Sequence, residues 1–216
     1  EAEQIASKGT MLALLLYLYH AAPVHSSAGE NSSLQCPVNS TWLGKYSDGW
    51  SFMADNSSMY LTQRNFNTDP QGRNLTACVS AITTSADNST SEIEQTFTYF
   101  NWTSCTWLNF TKNYTAYPFY SNETVRNAFN SSVYGKPVTY PVLYADEGCL
   151  LTYLPYKSNG SVACELWVKE SYFNKSQETC CDKLFVKLCA PVVQVMYNAT
   201  ECRVLEDPAA PRAVEN

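Results

Sequence analysis

Val162-Ala163-Cys164-Glu165-Leu166-Trp167-Val168 is a short apolar run with one acid at its centre. Its length and its β-branched and aromatic members are those of a strand. Side chains two apart on a strand leave from the same face, so Glu165 and Trp167 point the same way. An acid beside an indole is one means of holding a small cation. It is equally the face of an ordinary strand.

Outward from this run the chain repeats the pattern. Met59–Phe66, Ala77–Thr84, Ile93–Trp102, Thr106–Tyr120, Val125–Phe129, Val138–Tyr144 and Leu150–Tyr156 are further strand-like runs. Turn-forming clusters separate them: residues 67–72, Asp87-Asn88-Ser89-Thr90, Gly135-Lys136-Pro137, Asp146-Glu147-Gly148 and Lys157-Ser158-Asn159-Gly160. Roughly eight strands at near-regular spacing predict a mainly all-β fold, an antiparallel barrel or a sandwich. An eight-stranded barrel leaves room for one small ligand, whereas a sandwich packs the same residues into a closed core. After Phe173 the period changes. Cys181, Leu184, Phe185 and Leu188 fall at helical spacing, which predicts one amphipathic helix on the outer wall, stopped by Pro191. Residues 192–197 read as extended, and Cys202 pins the end. Pro37–Tyr46 suggests a short N-terminal helix. No repeat or linker divides this stretch, so 29–205 is expected to be one domain, followed by a disordered Pro/Ala-rich tail at 206–216.

Residues 1–28 read as a leader and signal peptide. Met11–Tyr19 forms an apolar core too short to span a bilayer, and the small residues around Ser26-Ser27-Ala28-Gly29 offer cleavage points. Two features agree with secretion. Nine cysteines, all after this segment, suit a disulfide framework in an oxidising compartment. There is no C-x-x-C pair and both His lie in the leader, so neither a metal nor another cofactor is expected. The second feature is the density of N-x-S/T sequons, at Asn31, Asn39, Asn56, Asn74, Asn88, Asn101, Asn109, Asn113, Asn122, Asn130, Asn159, Asn174 and Asn198. This predicts heavy N-glycosylation, and each used site must face water. The net charge is −6 without a Lys/Arg cluster, which argues against nucleic acid and anionic membrane as partners. With no His in the mature chain, no Ser-His or Cys-His pair is available. No phosphate loop or nucleophile elbow is present either, so the expectation is a binding protein and not an enzyme.

The residues Val142-Leu-Tyr-Ala-Asp-Glu-Gly-Cys149, Cys164-Glu-Leu-Trp-Val168, Cys180-Cys181 and Cys202 resemble those of tick salivary lipocalins of the histamine-binding group. The resemblance runs from about Cys36 to Cys202. It implies an eight-stranded lipocalin barrel with a short N-terminal helix and a C-terminal helix on its wall. It also implies secretion into the feeding site, where such proteins capture small host mediators (amines, leukotrienes, thromboxane, sterols) or host proteins such as complement components. The family's disulfides, carried onto matching positions, would be Cys36–Cys180, Cys78–Cys202, Cys149–Cys181 and, as in some members, Cys164–Cys189. Cys105 is left over, either as a buried thiol or as an intermolecular partner, with the buried thiol favoured.

The resemblance also implies a site of carboxylates framed by aromatics, since a buried acid attracts a cation and aromatic faces add to the attraction. Glu165 and Asp69 are the acids at matching positions; Phe66, Phe129 and Trp167 would supply walls. Three positions depart from the amine-binding pattern, with Leu150, Tyr140 and Lys112 where acids belong. One misplaced charge at ~4 Å changes an interaction by about 4 kcal/mol at a dielectric near 20, or roughly three decades of affinity. The expected ligand is therefore either an amine of the histamine or serotonin kind held by Glu165 and Asp69, or a lipid mediator. For the lipid, Tyr140, Leu150, Phe129 and Trp167 form the wall and Lys112 meets a carboxylate. The alternative is a protein-binding decoy with a filled barrel. A monomer is expected in either case.

Overall fold

A computed structural model describes residues 36, 48–67, 75–119, 124–157, 162–173, 178–189, 191–192 and 194–206. All fall within the compact unit spanning residues 34–216. The expected signal peptide, the helix over 37–46, Asp69 and the tail from 207 onward lie outside the described residues.

The strands are β1 (Met59–Arg64), β2 (Thr76–Asp87), β3 (Glu92–Asn101), β4 (Thr106–Tyr117), β5 (Ala128–Val133), β6 (Lys136–Ala145), β7 (Cys149–Tyr153) and β8 (Cys164–Lys169). Each pairs antiparallel with the next, β8 pairs with β1, and β1 pairs with β2, which closes an eight-stranded barrel. The chain therefore forms the barrel and not the sandwich. A ninth short strand, β9 (Gln194–Val195), adds to β1. Helix α1 (Gly49–Met53) precedes the barrel. Helices α2 (Glu170–Phe173), α3 (Cys180–Leu188) and α4 (Ala199–Glu206) follow β8.

Strand alternation sorts the side chains. Met59, Leu61, Ile93, Phe97, Tyr114, Phe129, Tyr140, Leu150 and Trp167 face inward and form the barrel's own core with Trp50, Phe52 and Met53 of α1. Leu143, Leu151, Leu166 and Val168 face outward and are covered by Cys181, Leu184 and Phe185 of α3. Thr179 caps that helix: its Oγ1 accepts from the Asp182 N–H at 3.2 Å while its own N–H donates to Asp182 Oδ2 at 2.7 Å. Such a reciprocal cap satisfies two backbone donors that a helix start otherwise leaves open.

Four disulfides join Cys36–Cys180, Cys78–Cys202, Cys149–Cys181 and Cys164–Cys189, the pairs implied by the resemblance. Three of them run from the N-terminal segment, β7 and β8 to α3 and its C-cap; the fourth ties β2 to α4. Cys105 is a correction. It is a free, exposed thiol in the four-residue turn between β3 and β4, at φ 52°, and not a buried one. The turn is organised by Asn101, whose Oδ1 accepts from the N–H groups of Thr103 and Ser104, and this leaves the following cysteine outside the wall.

Two boundaries also shift. The fifth strand runs from Ala128 to Val133, three residues later than expected. The β5–β6 turn is Tyr134-Gly135, with Lys136 and Pro137 already in β6. Both turn residues have positive φ, the geometry of a two-residue hairpin whose twist matches its strands. Helix α4 has no counterpart among the expected elements. Its Cys202 bond and the packing of Leu205 beside Trp107 hold it against β2–β4.

One end of the barrel is closed. Trp50 plugs it, with the Arg126 guanidinium 3.7 Å above the indole, and Lys169 reaches Asp55 at 3.1 Å beneath the Phe52 ring. Gly49 starts the plug because nothing larger fits. A β-carbon there would lie 2.7 Å from Phe129 Cε2 and 2.8 Å from Val142 Cγ2. Phe129 is fully buried and cannot swing away without entering the barrel interior. We therefore expect Gly49→Ala to destabilise the fold by about 1–3 kcal/mol, as other overpacked cores do. Urea unfolding of the two proteins checks this; an unchanged midpoint would refute the packing argument.

Candidate ligand-binding cavity

The barrel is hollow. A cavity of about 430 Å3 opens at the end opposite α1. This lies in the range of pockets that take small organic ligands. Six of the positions singled out from sequence line it: Glu165, Trp167, Phe129, Tyr140, Leu150 and Lys112. Phe66 does not. It stands past the end of β1, half-buried, with the Arg64 guanidinium 5.3 Å from its ring. Asp69, beyond it, belongs to the undescribed residues.

Glu165 and Trp167 share the inward face of β8, and the indole Nε1–H donates to Glu165 Oε2 at 3.4 Å. Burial pushes the Glu165 carboxyl above its ordinary range; Arg64, the Trp167 N–H, Lys112 and Lys157 pull the other way. Glu165 is the sole carboxylate among the described residues that line the cavity, against three cations, Arg64, Lys112 and Lys157.

Arg64 is invisible in the sequence. Leu61 pairs with Trp167 and so faces inward; simple alternation would then put Gln63 inward and Arg64 outside. The ladder slips between Leu61 and Gln63, so Gln63 pairs with Leu166 and Arg64 with Glu165. One extra residue, Thr62, reverses the parity and turns Arg64 in. Its Nε donates to Gln194 Oε1 at 2.5 Å, which orients the guanidinium from the β9 side. Burial lowers the Arg64 pKa, and Glu165 partly restores it.

Lys112 enters from β4. Its Nζ donates to the Tyr140 hydroxyl at 2.5 Å and lies 4.3 Å from the Tyr140 ring and 5.1 Å from that of Tyr114. Burial lowers its pKa to about 8, with the Glu165 charge opposing. Tyr140 is itself held as a phenol, its pKa raised by burial and by Tyr156. Tyr114, Tyr140 and Tyr156 thus form a polar-tipped aromatic wall, with ring centroids of neighbours 5.9 Å apart. Phe97 and Trp167 face it as an edge-to-face pair at 5.8 Å.

Tyr114 and Phe110 are further lining residues that the motif reading passes over, and for these a signal existed. Asn109 and Asn113 head sequons on β4 and are both exposed. If each asparagine faces water, alternation places Phe110, Lys112 and Tyr114 inside. The other described sequons agree: Asn56, Asn88, Asn130 and Asn198 are exposed and Asn101 is half-exposed.

Residues 38–204 match the family described as tick histamine binding protein. The chain belongs to that family. Membership and a hollow barrel together make it a small-ligand-binding, lipocalin-like protein. Similar solved structures include Japanin from Rhipicephalus appendiculatus bound to cholesterol. That chain is 17% identical with a TM-score of 0.49, and the match covers 68% of this chain and 97% of that one. A serotonin complex of AM182 is 19% identical with a TM-score of 0.45, covering 71% and 90%. The tryptamine complex of the amine binding protein of Rhodnius prolixus is 13% identical with a TM-score of 0.43, covering 85% and 88%. A comparison with curated proteins gave no match.

The electrostatics of Glu165 have a consequence for this family member's stability. A carboxyl whose folded pKa is raised stabilises the fold below its unfolded value and loses that contribution as pH rises through the folded value. Glu165→Gln resembles the protonated acid at every pH. Relative to the parent, the variant should therefore gain stability between pH 4 and pH 7. Urea midpoints of both proteins at the two pH values measure this. A gap that stays constant, or moves the other way, would show that the cations fully compensate the carboxylate.

Proposed function

We propose that the protein is secreted, glycosylated and released at a feeding site, where its barrel sequesters a host lipid mediator carrying an acidic head. The observation that supports this reading is the charge balance of the cavity. One carboxylate faces Arg64, Lys112 and Lys157, so the interior carries a surplus of positive charge while Lys112 is protonated. A monoanionic amphiphile fits such a site. Its carboxylate meets Lys112 near Tyr140, and its apolar body lies along Phe97, Phe129, Leu150 and Trp167. A small dication would find Glu165 already engaged by the Trp167 N–H and compensated by three neighbouring cations.

The amine reading keeps one observation in its favour, the placement of Glu165 beside an indole on the cavity wall. The acids it would need at 112, 140 and 150 are Lys, Tyr and Leu, and all three of these line the cavity. A decoy that captures a host protein with a closed barrel is disfavoured by the open interior.

Calorimetric titration of one preparation with a long-chain fatty acid, histamine and serotonin tests the choice. The fatty acid is expected to bind at micromolar concentration or tighter. Lys112→Met should weaken it by about tenfold or more, the effect of losing roughly 1.4 kcal/mol, and Glu165→Gln should leave it unchanged or tighter. Raising the pH from 7 to 9.5 should weaken binding of the acid, because Lys112 loses its proton through about 8. Tighter binding of histamine or serotonin than of the acid, abolished by Glu165→Gln, would overturn the proposal in favour of the amine.

A further inference from the structure

Lys112 has a chemical capacity that ion pairing does not use. Its amine lies inside the cavity between the rings of Tyr114 and Tyr140, with no carboxylate among the described residues bonded to it and a phenol oxygen 2.5 Å away. A desolvated lysine of this kind is a nucleophile towards carbonyl carbon near neutral pH, which an exposed lysine is not. The cavity supplies a long apolar wall and room for a chain. From this geometry we propose that Lys112 captures long-chain aldehydes covalently, as imines, inside the barrel. This rests on the reading above that small apolar ligands enter the cavity, and not on their being acids.

The step is a condensation. Neutral Nζ adds to the carbonyl carbon; the new N–C bond forms as the C=O π pair moves to oxygen. One N–H proton passes to that oxygen and gives a carbinolamine. The C=N bond then forms as the C–O bond breaks, and the hydroxyl leaves as water with the second nitrogen proton. Carbon and nitrogen keep their overall electron count, so no oxidant or reductant takes part. Two neighbours suit the proton movements. Tyr140, hydrogen-bonded to Nζ and held as a phenol, relays the first proton to the adjacent oxygen. Glu165 lines the same cavity, and its charge favours the protonated nitrogen from which the hydroxyl departs as water.

The depressed pKa adds to the case. With a value of about 8 against the usual 10.4 of a solvated lysine, the unprotonated fraction of Lys112 at pH 7.5 is on the order of a hundredfold greater. The apolar walls then shield the imine from water, which slows its return to aldehyde. An aldehyde held this way would leave far more slowly than the corresponding acid.

The test uses nonanal, a saturated aldehyde that cannot add by conjugate addition. The full chain is incubated with nonanal and cyanoborohydride at pH 7.5, digested, and mapped by mass spectrometry. Lys112 should be alkylated about tenfold or more faster than any other lysine, with a rate that half-rises near pH 8. An excess of long-chain fatty acid should block it. Lys112→Met, which keeps the length and apolar character of the side chain, should remove the fast adduct while its circular dichroism matches the parent. Alkylation of Lys112 no faster than surface lysines, or a fast adduct that survives in Lys112→Met, overturns the proposal. If calorimetry shows the fatty acid bound while Lys112 stays unlabelled, imine capture falls and the acid-binding reading stands. Fast labelling of Lys112 without fatty-acid binding upholds imine capture and removes the acid-binding reading. Failure of both removes imine capture and the acid-binding reading together, and leaves the amine.

Discussion

The extra residue in β1 is the constraint on which both the seam and the interior depend. Up to Leu61 the strand pairs with β8 on one side and, at Met59 and Tyr60, with β2 on the other. At Thr62 the ladder slips and the strand bends away from β2. The gap is filled by the chain returning from α3. The Met196 N–H donates to the Thr62 carbonyl at 2.9 Å, and the Cys78 N–H donates to the Met196 carbonyl at 2.6 Å. Cys78–Cys202 fastens that return beside the gap. Backbone groups that would otherwise be orphaned in a buried seam are thereby paired, which a closed barrel requires.

The same slip decides the chemistry within. Had β1 kept its register, Gln63 would face Glu165 and the carboxylate would stand in an aromatic pocket with only Lys112 and Lys157 as cations. The slip delivers Arg64 and, through Gln194, orients it. A carboxylate among three cations is a partly satisfied acid and not a vacant amine receptor. A lysine bonded to a phenol is a desolvated amine in search of an anion or an electrophile. Both groups are held at some cost in stability, since burial displaces each pKa from its ordinary value. Sites kept at such a cost cluster where ligands bind.

Much of the fold is legible in the pattern of residues. Strand alternation with regular turns marks eight strands, because a half-buried strand must alternate. The spacing of Cys181, Leu184, Phe185 and Leu188 marks the wall helix, because a helix has one buried stripe. Helix α4 is not legible: Ala199–Glu206 has a single buried residue, Cys202, and owes its place to a disulfide and not to a stripe. The exposure of Cys105 was legible after all, since the strand-like runs ending at Trp102 and restarting at Thr106 already leave it in a turn. Of the cavity, the shared face of Glu165 and Trp167 follows from parity. So would the inward face of Phe110, Lys112 and Tyr114, from the sequons beside them.

By itself, then, the sequence determined the strand count, the faces of β4 and β8, and a family resemblance reaching from Cys36 to Cys202. Local periodicity and the demand that sequons face water carry that much. The resemblance already implied a closed barrel; tertiary structure alone decided that its interior stays open, that β9 seals the seam, and that Arg64 stands opposite Glu165. A one-residue slip between strands about a hundred residues apart leaves no trace in local pattern. It is set by which register lets the seam's backbone pair and the barrel's charges compensate, and only the assembled sheet expresses that.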